Sequence, residues 1–267
     1  MCLRRVCLCV RVRGGRAVDP GGAAAVALAH EHDVDLRTLD RQYLRQAAWF
    51  AGVRADLLRR VGVRGKRRVL DLGCGTGVVT AELARRCGGR VIALDACSEP
   101  LGLEPGRFAG AQRLVAAAEA LPFPDASFDL VFTQMLWLWI AAPSIVAAEA
   151  RRVLKPGCEL LVVAEPDYGG RIEHPHGEGL GPRMGAALRA LGADPEIGRK
   201  MSGILQAQGF RVEAGVHPSV LRSDDLVSAW QEERAFLASL GDRGATDGPA
   251  AAFLFMPYFW FLARKPQ

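Results

Sequence analysis

The stretch Arg68-Val-Leu-Asp-Leu-Gly-Cys-Gly-Thr-Gly77 decides the fold. Its apolar start predicts a short strand over Arg68–Leu72 that ends in a sharp turn at Gly73. Glycine takes positive φ, or admits a ligand close to the backbone, at no steric cost. Three alternating glycines in five residues exceed what an ordinary strand-to-helix turn requires. Val78–Cys87 follows with helical spacing and is closed by Gly88-Gly89. A helix in that place points its amino terminus, with unpaired N–H groups, at whatever the turn holds.

Working outward, the alternation continues on both sides. Leu36, Leu39, Tyr43, Ala47, Phe50, Leu57 and Leu58 recur at helical spacing before the turn, which predicts one or two leading helices. After it, strands are expected at Val91–Leu94, Leu114–Ala117, Phe128–Thr133 and Glu159–Ala164. A helix fits Pro143–Leu154, with Pro143 in its first turn and Lys155-Pro156-Gly157 as its stop. Strands alternating with helices imply an α/β, doubly wound, Rossmann-like fold: a mostly parallel, seven-stranded sheet with helices on both faces. Residues 166–181 are too rich in Gly and Pro for a helix. Beyond them, helices are expected at 182–191, 195–208 and 223–240, a strand at 210–217, a loop at 241–250 and a last strand at 253–263. No repeat or linker divides the chain. We expect one domain over 34–267, with a ligand-binding half at about 34–165 and an elaboration over 166–267.

Composition narrows the function classes. The net charge is +5, but Arg4, Arg5, Arg11, Arg13 and Arg16 against Asp19 supply +4 of it within the first 20 residues. The rest is nearly neutral and lacks the concentrated basic face that nucleic acid requires. Residues 1–33 show no core-forming pattern and are expected to be a disordered or extraneous extension. No run reaches the roughly 18 to 20 apolar residues of a spanning helix, so no membrane partner is expected. The seven cysteines have no paired spacing, which points to a reducing, cytoplasmic setting and to no metal site.

The residues beyond the turn narrow its ligand. The spacing Gly73-x-Gly75-x-Gly77 departs from the dinucleotide fingerprint G-x-G-x-x-G, since Val stands at position 78. No Lys-Ser or Lys-Thr pair comes after it, as a triphosphate loop would need. Asp95 closes the second strand about 20 residues on, where a carboxylate accepts both hydroxyls of a ribose. The same place would also let it cap the following helix.

At these residues the chain resembles the class I S-adenosylmethionine-dependent methyltransferases. Val69–Gly77 is similar to their first motif. Ala118-Glu-Ala-Leu-Pro-Phe-Pro-Asp-Ala-Ser-Phe-Asp-Leu-Val131 is similar to the segment leading into their fourth strand, and Arg152-Val-Leu-Lys-Pro-Gly157 to the turn before their fifth. The resemblance implies S-adenosyl-L-methionine as cofactor, held by Asp71, Gly73, Cys74, Gly75, Asp95, Ala96, Ala118, Glu119 and Gln134. Backbone groups of Gly73, Cys74 and Gly75 would line its methionine end, Asp95 its ribose, Ala96, Ala118 and Glu119 its adenine. Thr133 and Gln134 would face it after the fourth strand. Asp129 is expected to shape the entry to that strand instead. One departure stands out: Ala117 replaces an aspartate that many relatives place there to bind the adenine amine, a bond worth about 1.5–3 kcal/mol.

Thr133-Gln134-Met135-Leu136 lacks the Asn/Asp-Pro-Pro-aromatic motif of nucleobase-amine methylases and the Pro-Cys of the cytosine type. A small-molecule acceptor is therefore expected, with O-, N- or C-methylation open. Trp137, Tyr168 and His174 are the candidate acceptor-side residues, with Trp139 and His176 beside them. Trp137 and Trp139 would equally serve to anchor a loop. A general base is sought among Glu165, Asp167, Tyr168 and His174. A non-catalytic S-adenosylmethionine-binding sensor and an NAD-dependent oxidoreductase remain as alternatives.

Overall fold

A computed structural model describes residues 36–174, 180–217, 223–239 and 253–267. The expected 1–33 extension, the 241–250 loop and His176 lie outside these residues. Helices α1 (Leu36–Trp49) and α2 (Ala51–Arg60) lead into β1 (Arg68–Leu72), followed by α3 (Val78–Arg86), β2 (Arg90–Asp95) and α4 (Ser98–Leu103). Next come β3 (Ala111–Val115), β4 (Phe128–Gln134), α5 (Pro143–Val153), β5 (Leu154–Pro166) and β6 (Ile172–His174). The second half holds α6 (Leu180–Ala190), α7 (Ile197–Ala207), β7 (Arg211–Val216), α8 (Ser223–Ser239), β8 (Phe253–Phe255) and β9 (Tyr258–Arg264).

Seven strands form one sheet in the order β3-β2-β1-β4-β5-β9-β7. All pairs are parallel except those of β9, which runs antiparallel to both β5 and β7. Successive side chains of a strand point to opposite faces, and the burial follows. Val69, Val91, Leu130, Phe132, Leu161 and Val163 pack with Phe50, Leu57, Leu58 and Leu83 from α1's end, α2 and α3. Leu70, Leu72, Ile92, Val131, Leu160 and Val162 pack on the other face with Val146, Ala150, Met201 and Leu205 of α5 and α7. Strands buried on both faces read as near-continuous apolar runs, as Leu160–Ala164 of β5 does.

Three expected elements shift. The third strand begins at Ala111, pulled earlier by its register with β2 from Val91↔Ala111 to Asp95↔Val115. The fifth begins at Leu154, paired with Phe128, and an irregularity absorbs Lys155-Pro156-Gly157 before the ladder resumes at Leu130↔Glu159. The last strand is two. Pro257, which has no N–H to give a ladder, separates β8, paired with β6, from β9 in the main sheet. Helix α4 and strand β6 carry no pattern visible in the sequence, being only six and three residues long.

Candidate active site

The order 3-2-1-4-5 reverses direction between β1 and β4, and open α/β sheets bind ligands at the carboxyl ends of the strands flanking such a switch. Gly73, Gly75 and Gly77 lie there at φ of +75°, +52° and +79°. Each is packed from above. A Cβ on Gly73 would fall 2.6 Å from Leu136 Cδ1, one on Gly75 3.1 Å from Tyr43 Cε2, and one on Gly77 2.5 Å from Phe108 Cζ. Both the backbone conformation and the space therefore require glycine.

Four N–H groups of the turn are bonded within the protein. Those of Gly73 and Cys74 both donate to Leu94 O (2.8 and 3.1 Å), and that of Gly77 to Cys74 O (3.0 Å). Gly75 N–H donates to Asp95 Oδ2 at 2.8 Å, and Cys97 N–H to Asp95 Oδ1 at 3.0 Å. Asp95 is half-buried, Ala96 and Glu119 are exposed and Ala118 is buried. Asp71 is buried and accepts the Thr80 hydroxyl at 2.6 Å, tying β1 to α3. Burial raises the Asp71 carboxyl to about 7, against the Thr80 bond. Cys74 is held as a thiol by burial and by the charges of Asp71 and Asp95, so it is no nucleophile.

Sequence reading missed the groups that roof this turn. Asp40 of α1 forms a bidentate ion pair with Arg107, which also donates to Thr76 Oγ1 at 3.3 Å. Arg54 is 4% exposed and donates to Glu82 Oε2 (2.8 Å), Ala47 O (2.9 Å) and Gln134 Oε1 (3.0 Å). It joins α1, α3 and the end of β4 in one network. Tyr43 lies over Gly75, its phenol pushed up by burial and then by the Asp95 charge. None of these partnerships has a local signature; only the helical spacing that includes Tyr43 was visible.

The acceptor-side expectations divide. Trp137 is 0% exposed and donates its indole N–H to Thr133 Oγ1 at 3.0 Å, so it anchors the loop after β4 instead of facing a ligand. His174 is exposed on the small sheet opposite Phe253. Asp167 is gripped by Arg199 of α7 through Nε (2.6 Å) and Nη2 (2.8 Å). Tyr168 is half-buried beside β5's end. Asp129 takes the structural part expected of it, accepting Arg67 N–H, Arg68 N–H and Lys155 Nζ.

Glu165 is the unusual group. It is 0% exposed, its Oε1 accepts Leu136 N–H at 2.9 Å, and its Oε2 is buried without a hydrogen-bond partner among the described residues. Beside it, Met135 and Ala164 hold φ of +52° and +61°, conformations that non-glycine residues keep only where the surroundings impose them. Burial raises the Glu165 carboxyl to about 8, opposed by the N–H groups of Trp137, Leu136 and Leu138. A raised carboxyl pKa means that the fold favours the neutral form. Its contribution is thus present in full below the ordinary value of 4.5 and is lost as pH rises through about 8. Glu165→Gln should remove this loss. Its melting temperature relative to the parent should climb by roughly 5 °C or more between pH 5.5 and 8.5, at about 1.4 kcal/mol per pKa unit. Parallel melting curves at both pH values would show that Glu165 is ionised throughout.

Two hollows of about 310 and 430 Å³ open at the opposite, amino-terminal edge of the sheet, beside Arg90–Ile92 and beside Gly157 with Arg264–Gln267. Neither touches the glycine turn.

This sheet order, with its glycine turn at the switch point and a carboxylate at the end of β2, is the Rossmann-like fold of the solved methyltransferases that the chain resembles. Residues 70–162 match the family described as a methyltransferase domain. The chain is 36% identical over 134 residues to the biotin biosynthesis bifunctional protein BioHC of Cellvibrio japonicus, covering 46% of this chain and 26% of that protein. It is 40% identical over 116 residues to the malonyl-[acyl-carrier protein] O-methyltransferase of Erwinia pyrifoliae, covering 40% and 44%. It thus spans less than half the length of these curated relatives. Haemonchus contortus phosphoethanolamine N-methyltransferase 2, solved with S-adenosylhomocysteine, shares the fold at a TM-score of 0.59 and 20% identity, over 88% of this chain and 61% of that one.

Proposed function

We propose that this chain is a cytoplasmic S-adenosylmethionine-dependent methyltransferase acting on a small-molecule acceptor. The state of the glycine turn carries the reading. With the N–H groups of Gly73, Cys74, Gly75 and Gly77 already bonded within the protein, the turn is poorly provided to cradle phosphate, which NAD or ATP would bring. A cofactor with a ribose and no phosphate suits Asp95 and the close backbone approach at Gly73 and Gly75. When bound, S-adenosylmethionine supplies an electrophilic methyl on sulfur. The chain's residues hold and orient: Asp95 the ribose hydroxyls, Ala96, Ala118 and Glu119 the adenine, and backbone groups of residues 73–75 the methionine end. Asp71 fixes the turn on α3 through Thr80, and Gln134 ties it to Arg54.

The phosphomonomethylethanolamine bound by the Haemonchus contortus enzyme supports a small acceptor, as does the lack of base-methylase motifs after β4. Residues 34–165 would supply the cofactor half and 166–267 the acceptor side. Among the described residues no helix is long and apolar enough to cross a membrane. None of Cys74, Cys87, Cys97 and Cys158 forms a disulfide, in keeping with a reducing compartment.

Calorimetric titration tests the reading. S-adenosylhomocysteine should bind, and NAD and ATP should bind at least about tenfold more weakly, a difference of about 1.4 kcal/mol. Tighter NAD binding would reject it. Labelled S-adenosylmethionine with a metabolite extract, followed by mass spectrometry, then separates an enzyme from a sensor, which binds without forming S-adenosylhomocysteine.

A further inference from the structure

Gln134 closes β4 beside the glycine turn, and its surroundings fix which way its amide is turned. Asp71 of β1 pairs with Phe132 of β4, so the two strands end side by side, at Gly73 and at Gln134. Leu136, two residues further on, covers Gly73. Gln134 is half-buried, and its Oε1 accepts Arg54 Nη1 at 3.0 Å. Arg54 is itself locked: Nη1 also donates to Ala47 O at 2.9 Å, while Nε and Nη2 meet Glu82 Oε2 at 2.8 and 2.7 Å. A guanidinium carries donors only, in a planar fork, so the prong of the amide that faces it must be the oxygen. The Nε2 prong, with its two N–H donors, is turned away. Among the described residues Nε2 has no hydrogen-bond partner, and it is not shut off from solvent.

A ligand lying on the turn needs such a donor. The N–H groups of Gly73, Cys74, Gly75 and Gly77 are bonded within the protein, which leaves an anionic group of the ligand to find donors on side chains. The sheet order β3-β2-β1-β4 then sets a direction. With the ribose at Asp95 on β2 and the adenine beyond it toward β3, the methionine end of S-adenosylmethionine extends toward β4. That end carries three polar groups: a sulfonium, an ammonium and a carboxylate. The sulfonium offers no acceptor and the ammonium only donors, so the carboxylate alone can accept an amide N–H. Arg54 does not bind it directly, being 4% exposed with all three of its nitrogens engaged.

We infer that the Gln134 amide donates to the carboxylate of the cofactor's methionine end, and that Arg54 is the positioning residue that keeps the N–H prong turned toward it. The inference rests on the methyltransferase reading for the identity of the ligand. A neutral amide suits this part because it offers donors without a charge of its own. Arg54 orients it through the oxygen and leaves both N–H groups for the ligand, and a hydrogen bond to an ionised acceptor is the stronger kind.

The test titrates the full chain calorimetrically at pH 7.5 with S-adenosylhomocysteine and with its decarboxylated analogue, which keeps the ammonium. The parent should bind S-adenosylhomocysteine at least about tenfold tighter than the analogue, the worth of a charge-assisted bond. Gln134→Met has the same length and no N–H. It should lose most of that preference and bind the analogue like the parent, since coupling is confined to groups in contact. Arg54→Lys keeps a cation for Glu82 but not the fork, and should lower the preference several-fold through a mispositioned amide. Should the lysine variant fail to fold, Gln134→Met still decides, because it leaves the bonds of Arg54 to Glu82 and Ala47 in place. Equal affinity of the parent for both ligands, or a preference that survives in Gln134→Met, would overturn the inference. So would an equal loss of both ligands in Gln134→Met, which would make the amide a structural tie. A preference undiminished in a folded Arg54→Lys would overturn the part given to Arg54. Failure of the parent to bind S-adenosylhomocysteine at all would instead strike the methyltransferase reading, a separate result.

Discussion

Gly75→Val should lose S-adenosylhomocysteine binding by more than about 100-fold, some 2.7 kcal/mol or more. Two effects combine. Gly75 sits at φ +52°, where an L side chain costs roughly 1–2 kcal/mol and a β-branched one resists further. The added carbon would also stand 3.1 Å from the Tyr43 ring, which packs over the turn. Gly62 supplies the control. It has φ +63° but open space around its Cβ direction, so Gly62→Ala should carry the backbone cost alone and bind like the parent. The comparison needs calorimetric affinities and urea midpoints of both variants. If Gly75→Val binds within a few-fold of the parent, the glycine is structural and the cofactor lies elsewhere.

That turn was legible from sequence because its requirement is local: positive φ leaves glycine as its mark, and β1 was placed at Arg68–Leu72, the residues it occupies. Asp95 was legible for a related reason, since a strand's end and a fixed offset locate it. Motifs that carried the family resemblance owe part of their specificity to structural staples. Arg152, in the last helical turn of α5, donates to Leu121 O, Phe123 O, Asp125 and Glu149, clamping the Leu121–Asp125 turn. What could not be read are partnerships across long sequence separations. Arg54 reaches Gln134 and Asp40 reaches Arg107, and neither pair follows from spacing. Trp137 misled because an aromatic near a site looks the same in sequence whether it faces a ligand or, as here, fills the core at 0% exposure. Arg171 likewise donates to Glu233 of α8, 62 residues further on, a partnership that no spacing announces.

Asp95→Ala separates a cofactor ligand from a structural brace. Two charge-assisted bonds to ribose hydroxyls would contribute roughly 1.5–3 kcal/mol, so the variant should bind S-adenosylhomocysteine about 10- to 100-fold more weakly. From sequence alone, removing a cap at this strand end would cost at most about 1 kcal/mol of stability. The structure raises that figure, because the carboxylate accepts N–H groups from both Gly75 and Cys97. Leaving them without a partner should cost about 1–3 kcal/mol. Loss of binding by itself would therefore be ambiguous, since a loosened turn also binds poorly. A ligand change resolves it. The parent should prefer S-adenosylhomocysteine over its 2′,3′-dideoxy analogue by the full ribose contribution, whereas Asp95→Ala should hardly distinguish them, since coupling appears only between groups in contact. Asp95→Asn, which retains one acceptor oxygen, should recover much of the stability and only part of the preference. If Asp95→Ala discriminates between the two ligands as well as the parent does, its carboxylate is a brace for the glycine turn and the ribose is held by other groups.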